Sequence, residues 1–258
     1  MKLLAILSVL ACAQPALASS SGWQEAEGAR VRLVTTGEPD AQGHLRGMLD
    51  IRLEPGWKTY WRDPGDAGVP PTLDLGAGGS AEMLFPAPEW HHDGTYDWAG
   101  YSAPVAIPVT LKLSDPARPG PIEASAFLGL CKTICIPLNA RLVLDPAADP
   151  GDPGDALAVA AAEAGLPGPA TADFGVTAIR IDDGTAVFDV VGPVGADAEL
   201  FVAASEGFAF SRPEPVMKDG KLSFTSKITS YLKAKPNDAV VNYTLKTPAR
   251  SVSGTLPF

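Results

Sequence analysis

Short stretches of alternating apolar and polar residues recur along most of this chain, and glycine or proline interrupts them. Residues 31–34, 48–53 and 105–111 are examples. Because successive side chains of a strand point to opposite faces, the pattern predicts short β-strands. The chain has 26 glycines and 25 prolines yet is 46% hydrophobic, which suits many strands joined by tight turns and is too apolar for disorder. We therefore predict an all-β fold.

A segment rich in proline, glycine and aspartate separates two alternating regions. Residues 145–154 contain three prolines and three aspartates and offer nothing to bury. Asp155 is predicted to cap a short helix over residues 156–164, which Gly165 ends. Few contacts are expected to cross this segment. The predicted parts of the chain are a first β-sandwich domain at 19–146, a linker with a short helix at 147–170, and a second, smaller β-sandwich domain at 171–258.

The second domain carries turn signals but little chemistry. Asp183-Gly184 and Asp219-Gly220 each lie between alternating runs, where two-residue hairpin turns are expected. Residues 171–258 contain neither cysteine nor histidine. We expect the chemistry of the protein to lie in the first domain.

The N-terminus has the pattern of an export signal. Lys2 precedes an apolar stretch at residues 3–11, and Ala16-Leu17-Ala18 forms a small-x-small cleavage site. We predict a signal peptide at 1–18 and a mature chain that begins at Ser19, with lipidation at Cys12 as the rival interpretation. No later stretch is long and apolar enough to span a membrane. The formal charge of −10, without a basic cluster, argues against nucleic acid or anionic membranes as partners.

The two cysteines of the predicted mature chain are close in sequence. Cys131 and Cys135 are separated by Lys132-Thr133-Ile134. Positions four apart on one straight strand lie about 13 Å from each other, too far for a disulfide. Pro137 and the β-rich residues before the pair argue against a helix. We therefore predict that the cysteines face each other across two strands joined by a three-residue turn.

A disulfide in this position can be a structural staple or a redox centre. Closing so short a loop stabilises a fold by only about 2 kcal/mol in the loop-entropy model, against about 4.7 kcal/mol for a loop of 100 residues. Short-loop or exposed disulfides are those whose potentials suit exchange. The spacing alone leaves both interpretations open.

Several blocks of the sequence together resemble one known family. They are residues 56–71, Phe85-Pro86-Ala87-Pro88, Ile107-Pro108-Val109 and the run from Cys131 to Pro137. These blocks resemble the N-terminal periplasmic domain of the thiol:disulfide interchange protein DsbD and of its relative ScsB, which is associated with suppression of copper sensitivity. The resemblance covers residues 56–146 well and the remainder weakly.

The resemblance implies a fold, a site and partners. It implies an immunoglobulin-like fold in a periplasmic protein, with Cys131 and Cys135 as the exchanging pair. Electrons would arrive from a membrane electron-transfer protein, here expected as a separate chain, and pass to thioredoxin-like periplasmic proteins, with no cofactor. Aromatic side chains of a neighbouring loop would shield the disulfide, and Tyr96, Trp98 and Tyr101 are the candidates. The resemblance and Pro137 together favour Cys135 as the partner-facing sulfur and Cys131 as the resolving one.

Other functions remain open from the sequence. Cys131, Cys135, His91 and His92 could instead bind a soft ion such as Cu(I) in a copper-tolerance protein. A non-catalytic binding scaffold with an inert disulfide is a further alternative. No G-x-S-x-G motif or paired carboxylates support a hydrolase. Trp57, Tyr60 and Trp61 are predicted to pack the core.

Overall fold

A computed structural model describes residues 19–65, 68–116, 120–204, 208–230 and 239–257. The predicted signal peptide at 1–18 and the rival lipidation site at Cys12 lie outside the described residues. Strands predominate, as the alternation predicted. The first half contains strands β1 (Gln24–Ala26), β2 (Ala29–Thr35), β3 (His44–Leu53), β4 (Thr59–Gly65), β5 (Thr72–Asp74), β6 (Gly79–Met83), β7 (Glu89–Asp93), β8 (Tyr96–Tyr101), β9 (Val105–Leu113), β10 (Ile122–Cys131) and β11 (Cys135–Leu144).

The first half is a β-sandwich of two layers. One layer is a five-stranded sheet in the order β1-β2-β3-β9-β6. The other is built from two three-stranded sheets, β11-β10-β5 and β4-β8-β7. An antiparallel bridge between Lys58 and Cys131 joins these two sheets just before β4 begins. Alternate residues of both layers, such as Leu33, Leu49 and Leu128, are fully buried in one shared core.

Helix α1 (Pro153–Ala164) lies on the outer face of the first sheet. Its buried Val159 and Ala162 pack against Val34 and Met48, which point away from the main core. The cap is Asp152, whose side chain accepts from the backbone N–H of Asp155 at 2.7 Å, so the expectation that Asp155 caps the helix is wrong. Pro153 at the first helical position fits this start, because its missing N–H would have no partner there. No helix within the described residues has the length and apolarity to cross a membrane.

The second half forms a second β-sandwich around its own core. Its strands are β12 (Gly168–Pro169), β13 (Gly175–Asp182), β14 (Thr185–Val191), β15 (Glu199–Ala204), β16 (Ala209–Phe210), β17 (Glu214–Lys218), β18 (Lys221–Ser230), β19 (Val240–Lys246) and β20 (Ser251–Pro257). They form sheets in the orders β12-β20-β19-β15 and β13-β14-β18-β16, and β17 also pairs with β18. Phe174, Phe188 and Phe224 are buried between the sheets.

The two Asp-Gly pairs form the tight turns that the sequence predicted. Asp183 and Gly184 have φ angles of 43° and 73°, between the paired residues Asp182 and Thr185. Asp219 and Gly220, at 51° and 74°, connect β17 to β18 in the same way. Positive φ at both central positions matches the twist of the flanking strands, which explains why this dipeptide is favoured.

The two sandwiches contact each other directly. Phe201 and Ala203 of β15 are buried in the core of the first sandwich. The Trp90 ring stacks on Phe201 with centroids 5.2 Å apart, and its indole N–H donates to the carbonyl of Leu200 at 3.2 Å. β15 therefore contributes apolar side chains to both cores. The domain bounds 19–146, 147–170 and 171–258 stay a prediction.

Candidate functional site

The candidate site is the Cys131–Cys135 disulfide at the turn end of the β10–β11 hairpin. β10 ends at Cys131, β11 begins at Cys135, and the two residues are direct cross-strand partners with Cα atoms 4.0 Å apart. Lys132, Thr133 and Ile134 form the turn, in which the Lys132 N–H donates to the Ile134 carbonyl at 3.1 Å. The facing geometry predicted from the spacing is confirmed.

The two cysteines have different surroundings. Cys131 is only 1% exposed, and its backbone exchanges hydrogen bonds of 2.9 and 3.0 Å with Lys58 on the side opposite Cys135. Cys135 is exposed and lies next to Ile134, which is 70% exposed at the tip of the turn. A protein that approaches this end of the hairpin therefore meets Cys135 first.

Tyr60 lies against the buried side of the disulfide. Its hydroxyl is 2.8 Å from Cys131 Sγ and 3.5 Å from Cys135 Sγ. The ring packs over Gly129, where an added Cβ would be 3.1 Å from two ring carbons. Burial, and secondarily the nearby charge of Asp93, raises the pKa of the phenol above its ordinary value. The hydroxyl therefore keeps its proton at neutral pH and can donate it to sulfur.

Trp98 forms the next layer outward from the disulfide. Its ring meets Tyr60 edge-on with centroids 5.7 Å apart, and these two side chains form one buried cluster with Cys131. The indole also stacks on the His91 ring, with ring centroids 4.0 Å apart. The indole N–H donates to Asp93 at 3.0 Å. Each contact restricts the ring, so the position of Trp98 is set from several sides.

Lys58 and Asp93, which carry opposite charges, both contact Trp98. The Lys58 ammonium lies 4.1 Å from the centroid of the Trp98 ring and forms an ion pair with Asp93. That ion pair lowers the pKa of the Asp93 carboxyl. Desolvation lowers the pKa of His91, against a smaller opposing effect of Glu89, and favours a neutral imidazole at neutral pH. The layer over the disulfide thus combines a cation, a carboxylate and stacked neutral rings.

The structure separates the other candidate residues. Tyr101 is buried and its hydroxyl donates to the Pro86 carbonyl at 2.9 Å, within the main core. Tyr96 is 52% exposed at the start of β8, across from Asp93. His92 is exposed, with Nδ1 3.2 Å from Asp97 Oδ1. In the part of the chain that the structure describes, no group of three or more His, Cys, Asp or Glu residues could hold a metal ion.

The position of Tyr60 beside the disulfide differs from the prediction. Tyr60 was expected to pack the core with Trp57 and Trp61, and only the two tryptophans pack there. Because successive side chains of a strand point to opposite faces, Tyr60 lies on the face of β4 opposite Trp61. The Lys58–Cys131 bridge places that face next to the disulfide, and no local pattern in the sequence indicates this pairing.

Comparisons with known proteins agree with this geometry. Residues 30–147 match the family described as thiol:disulfide interchange protein DsbD, N-terminal. The crystal structure of the N-terminal periplasmic domain of ScsB from Proteus mirabilis superposes with a TM-score of 0.78 at 20% identity, covering 93% of this chain and 98% of that chain. At this identity the match shows the fold alone, two immunoglobulin-like sandwiches in tandem.

Two further comparisons add nothing to the assignment. The human desmocollin-1 ectodomain aligns at 13% identity over 84% of this chain and 44% of that chain, and its TM-score of 0.22 is too low to support an argument. None of the curated protein sequences matches significantly. The matched residues 30–147, which hold the disulfide together with Tyr60 and Trp98, resemble the DsbD N-terminal domain family.

Proposed function

We propose that the protein passes electrons through the Cys131–Cys135 pair, from a membrane electron-transfer protein to thioredoxin-like proteins of the periplasm. The observation that carries this proposal is the asymmetry of the disulfide. One sulfur is exposed at a hairpin tip, and the other is 1% exposed with a phenol at hydrogen-bond distance. A disulfide that only stabilised a fold would gain little from a five-residue loop or from such an arrangement.

In this proposal each sulfur has a different task. In the first half-reaction a donor thiolate attacks the exposed Cys135 Sγ, the disulfide breaks, and its electron pair passes to Cys131 Sγ. Tyr60 donates a hydrogen bond to the thiolate that forms there. The donor's second thiolate then attacks the donor sulfur of the mixed disulfide and releases Cys135. The donor ends as a disulfide, and the pair has gained two electrons.

The second half-reaction runs the same steps toward the acceptor. The Cys135 thiolate attacks the disulfide of a thioredoxin-like protein and displaces one of its sulfurs as a thiolate. The Cys131 thiolate then attacks Cys135 Sγ, displaces the acceptor's other sulfur and restores the internal disulfide. Trp98 and Tyr60 shield the pair between these events; they are the proposed covering residues, because they lie in one cluster with Cys131.

The proposal is tested with single-cysteine variants. The probe is a thioredoxin-like protein that keeps only its attacking cysteine and carries 5-thio-2-nitrobenzoate on it. Cys131→Ala retains Cys135 and should form a mixed disulfide with the probe rapidly, with release of the coloured thiolate. Cys135→Ala retains Cys131 and should react much more slowly, because that sulfur is buried. Both variants should react equally in strong denaturant, which is the matched control.

Three outcomes would contradict the proposal. Faster reaction of the Cys135→Ala variant would reverse the roles of the two sulfurs. Failure of both folded variants to react, while both react when unfolded, would make the disulfide a structural staple. Tight Cu(I) binding by the reduced protein without measurable exchange would favour the copper alternative.

A further inference from the structure

The β7–β8 hairpin has one face toward the disulfide and the other toward the second sandwich. Trp90 pairs with Ala99, His91 with Trp98, and His92 with Asp97. Successive side chains of a strand alternate between faces. His91 and Trp98 therefore share the face that contacts Tyr60, whereas Trp90 and Asp97 share the opposite one.

The second sandwich holds the outer face of this hairpin by three kinds of contact. Phe201 is fully buried and stacks on Trp90 at 5.2 Å, with an interplanar angle of 10°. The Arg212 guanidinium lies 5.4 Å from the centroid of the Trp90 ring and forms an ion pair with Asp97 at 3.4 Å. Lys246 Nζ donates to the carbonyl of Pro88, just before β7, at 3.1 Å.

A continuous series of contacts thus joins the second sandwich to the buried sulfur of the disulfide. It runs from Arg212 and Phe201 to the outer face of the hairpin, across the hairpin to Trp98, and from Trp98 through Tyr60 to Cys131. In the sheet β4-β8-β7, β8 pairs with β4 and β7 is the edge strand. An outer two-stranded ribbon has little stability of its own, so its position depends on what packs against its two faces.

We propose that Phe201 and Arg212 are positioning residues of the redox site. They hold the β7–β8 hairpin, and through it Trp98, against Tyr60 and the disulfide, and thereby set how readily a thiolate reaches the sulfurs. The second sandwich, which has no cysteine or histidine of its own, controls the reactivity of the pair in the first. This inference rests on the proposed function only in requiring that the disulfide exchanges with thiols.

The test measures reduction of the oxidised protein by dithiothreitol, with alkylation and mass measurement at timed intervals. Arg212→Ala should increase the rate constant about three- to tenfold, as expected for loss of one exposed ion pair and one cation–π contact. Asp97→Asn should also increase it, and Arg212→Ala with Asp97→Asn should fall short of the product of the two single effects, because both remove the same ion pair. Phe201→Leu should give an increase of its own.

A matched control and a second measurement separate positioning from loss of structure. Arg180 also lies in the second sandwich and pairs with an aspartate, Asp189, but it has no contact with the hairpin among the described residues; Arg180→Ala should leave the rate unchanged. The reduction potential of Arg212→Ala, measured against glutathione, should equal that of the wild type, because an opened cover speeds reduction and reoxidation alike. Partial unfolding would change the potential as well.

The outcomes distinguish this inference from the proposed function. An unchanged or slower rate in Arg212→Ala, or an equal increase in Arg180→Ala, overturns the positioning role and leaves thiol exchange intact. A folded wild-type protein that resists dithiothreitol overturns the proposed function itself. If Phe201→Leu fails to fold, the Arg212 and Asp97 variants decide alone, because both side chains are partly exposed, at 39% and 31%.

Discussion

Tyr60→Phe removes one hydroxyl from the site and leaves the ring that packs over Gly129. That hydroxyl lies 2.8 Å from Cys131 Sγ. A hydrogen bond to a charged group contributes about 1.5–3 kcal/mol, whereas a disulfide sulfur is a weak acceptor. The phenol therefore stabilises the reduced, thiolate-bearing state more than the oxidised state. For a two-electron couple, 1.4 kcal/mol corresponds to about 30 mV, so Tyr60→Phe should lower the reduction potential by about 30–60 mV.

The potential is measured by equilibration with glutathione buffers at neutral pH, followed by alkylation and mass measurement of both states. Tyr101→Phe is the matched control, because it also removes a buried tyrosine hydroxyl, one that donates to Pro86 at 2.9 Å and has no sulfur partner among the described residues. It should reduce stability by about 1 kcal/mol and leave the potential unchanged. Tyr96→Phe, at an exposed position, should change neither.

Either of two results would contradict this role of the Tyr60 hydroxyl. A Tyr60→Phe potential equal to that of the wild type would mean that the phenol does not distinguish the two redox states. An equal decrease in Tyr101→Phe would mean that the effect arises from packing in the sandwich and not from the contact with sulfur.

Four further predictions concern the surroundings of the site and the fold. Asp93→Asn should remove a pH dependence of stability. Because Lys58 lowers the pKa of Asp93 in the folded state, the ion pair stabilises the fold above pH about 3.9, the ordinary pKa of an aspartate, and this stabilisation is lost as the pH falls through the lowered pKa. Measuring the free energy of unfolding across the acid range would show the difference between the variant and the wild type. Gly129→Ala should displace the Tyr60 ring and lower the reduction potential in the same direction as Tyr60→Phe; an unchanged potential would place the ring elsewhere. His92→Ala should leave the rate of thiol exchange unchanged, whereas a copper site predicts loss of Cu(I) affinity. Asp152→Ala should lower the free energy of unfolding by about 1 kcal/mol in urea denaturation, and an unchanged free energy would contradict the assigned cap.

Local patterns predicted the parts of this fold that depend on near neighbours. The period of two predicted strands such as β2, β3 and β9, because one buried face fixes the alternation. The Asp-Gly pairs predicted two turns, because the required backbone angles limit the residues that can stand there. The four-residue spacing of Cys131 and Cys135 predicted their position across a hairpin, because a straight strand fails on distance and Pro137 argues against a helix.

Contacts between distant parts of the chain were not predictable in this way. Tyr60 and Cys131 are 71 residues apart, and their contact depends on which strand lies next to β10. The sequence around Phe201 resembles that of any buried strand residue, and no local pattern indicates that its side chain packs in the core of the first sandwich. The Asp152 cap was misplaced by three residues, since either aspartate could begin the helix and only the observed hydrogen bond decides between them.

The bridge between Lys58 and Cys131 also affects the order in which the site assembles. The two cysteines are four residues apart, and an isolated hairpin forms within about 1–10 μs. The strand that carries Tyr60 must close a loop of about 70 residues before it reaches them, and contacts of such separation form late. During refolding the reactive pair therefore exists before its cover. Early in refolding, a pulse of alkylating reagent should modify both cysteines of the reduced chain. As the sandwich closes, Cys131 should become protected from the reagent while Cys135 should remain reactive.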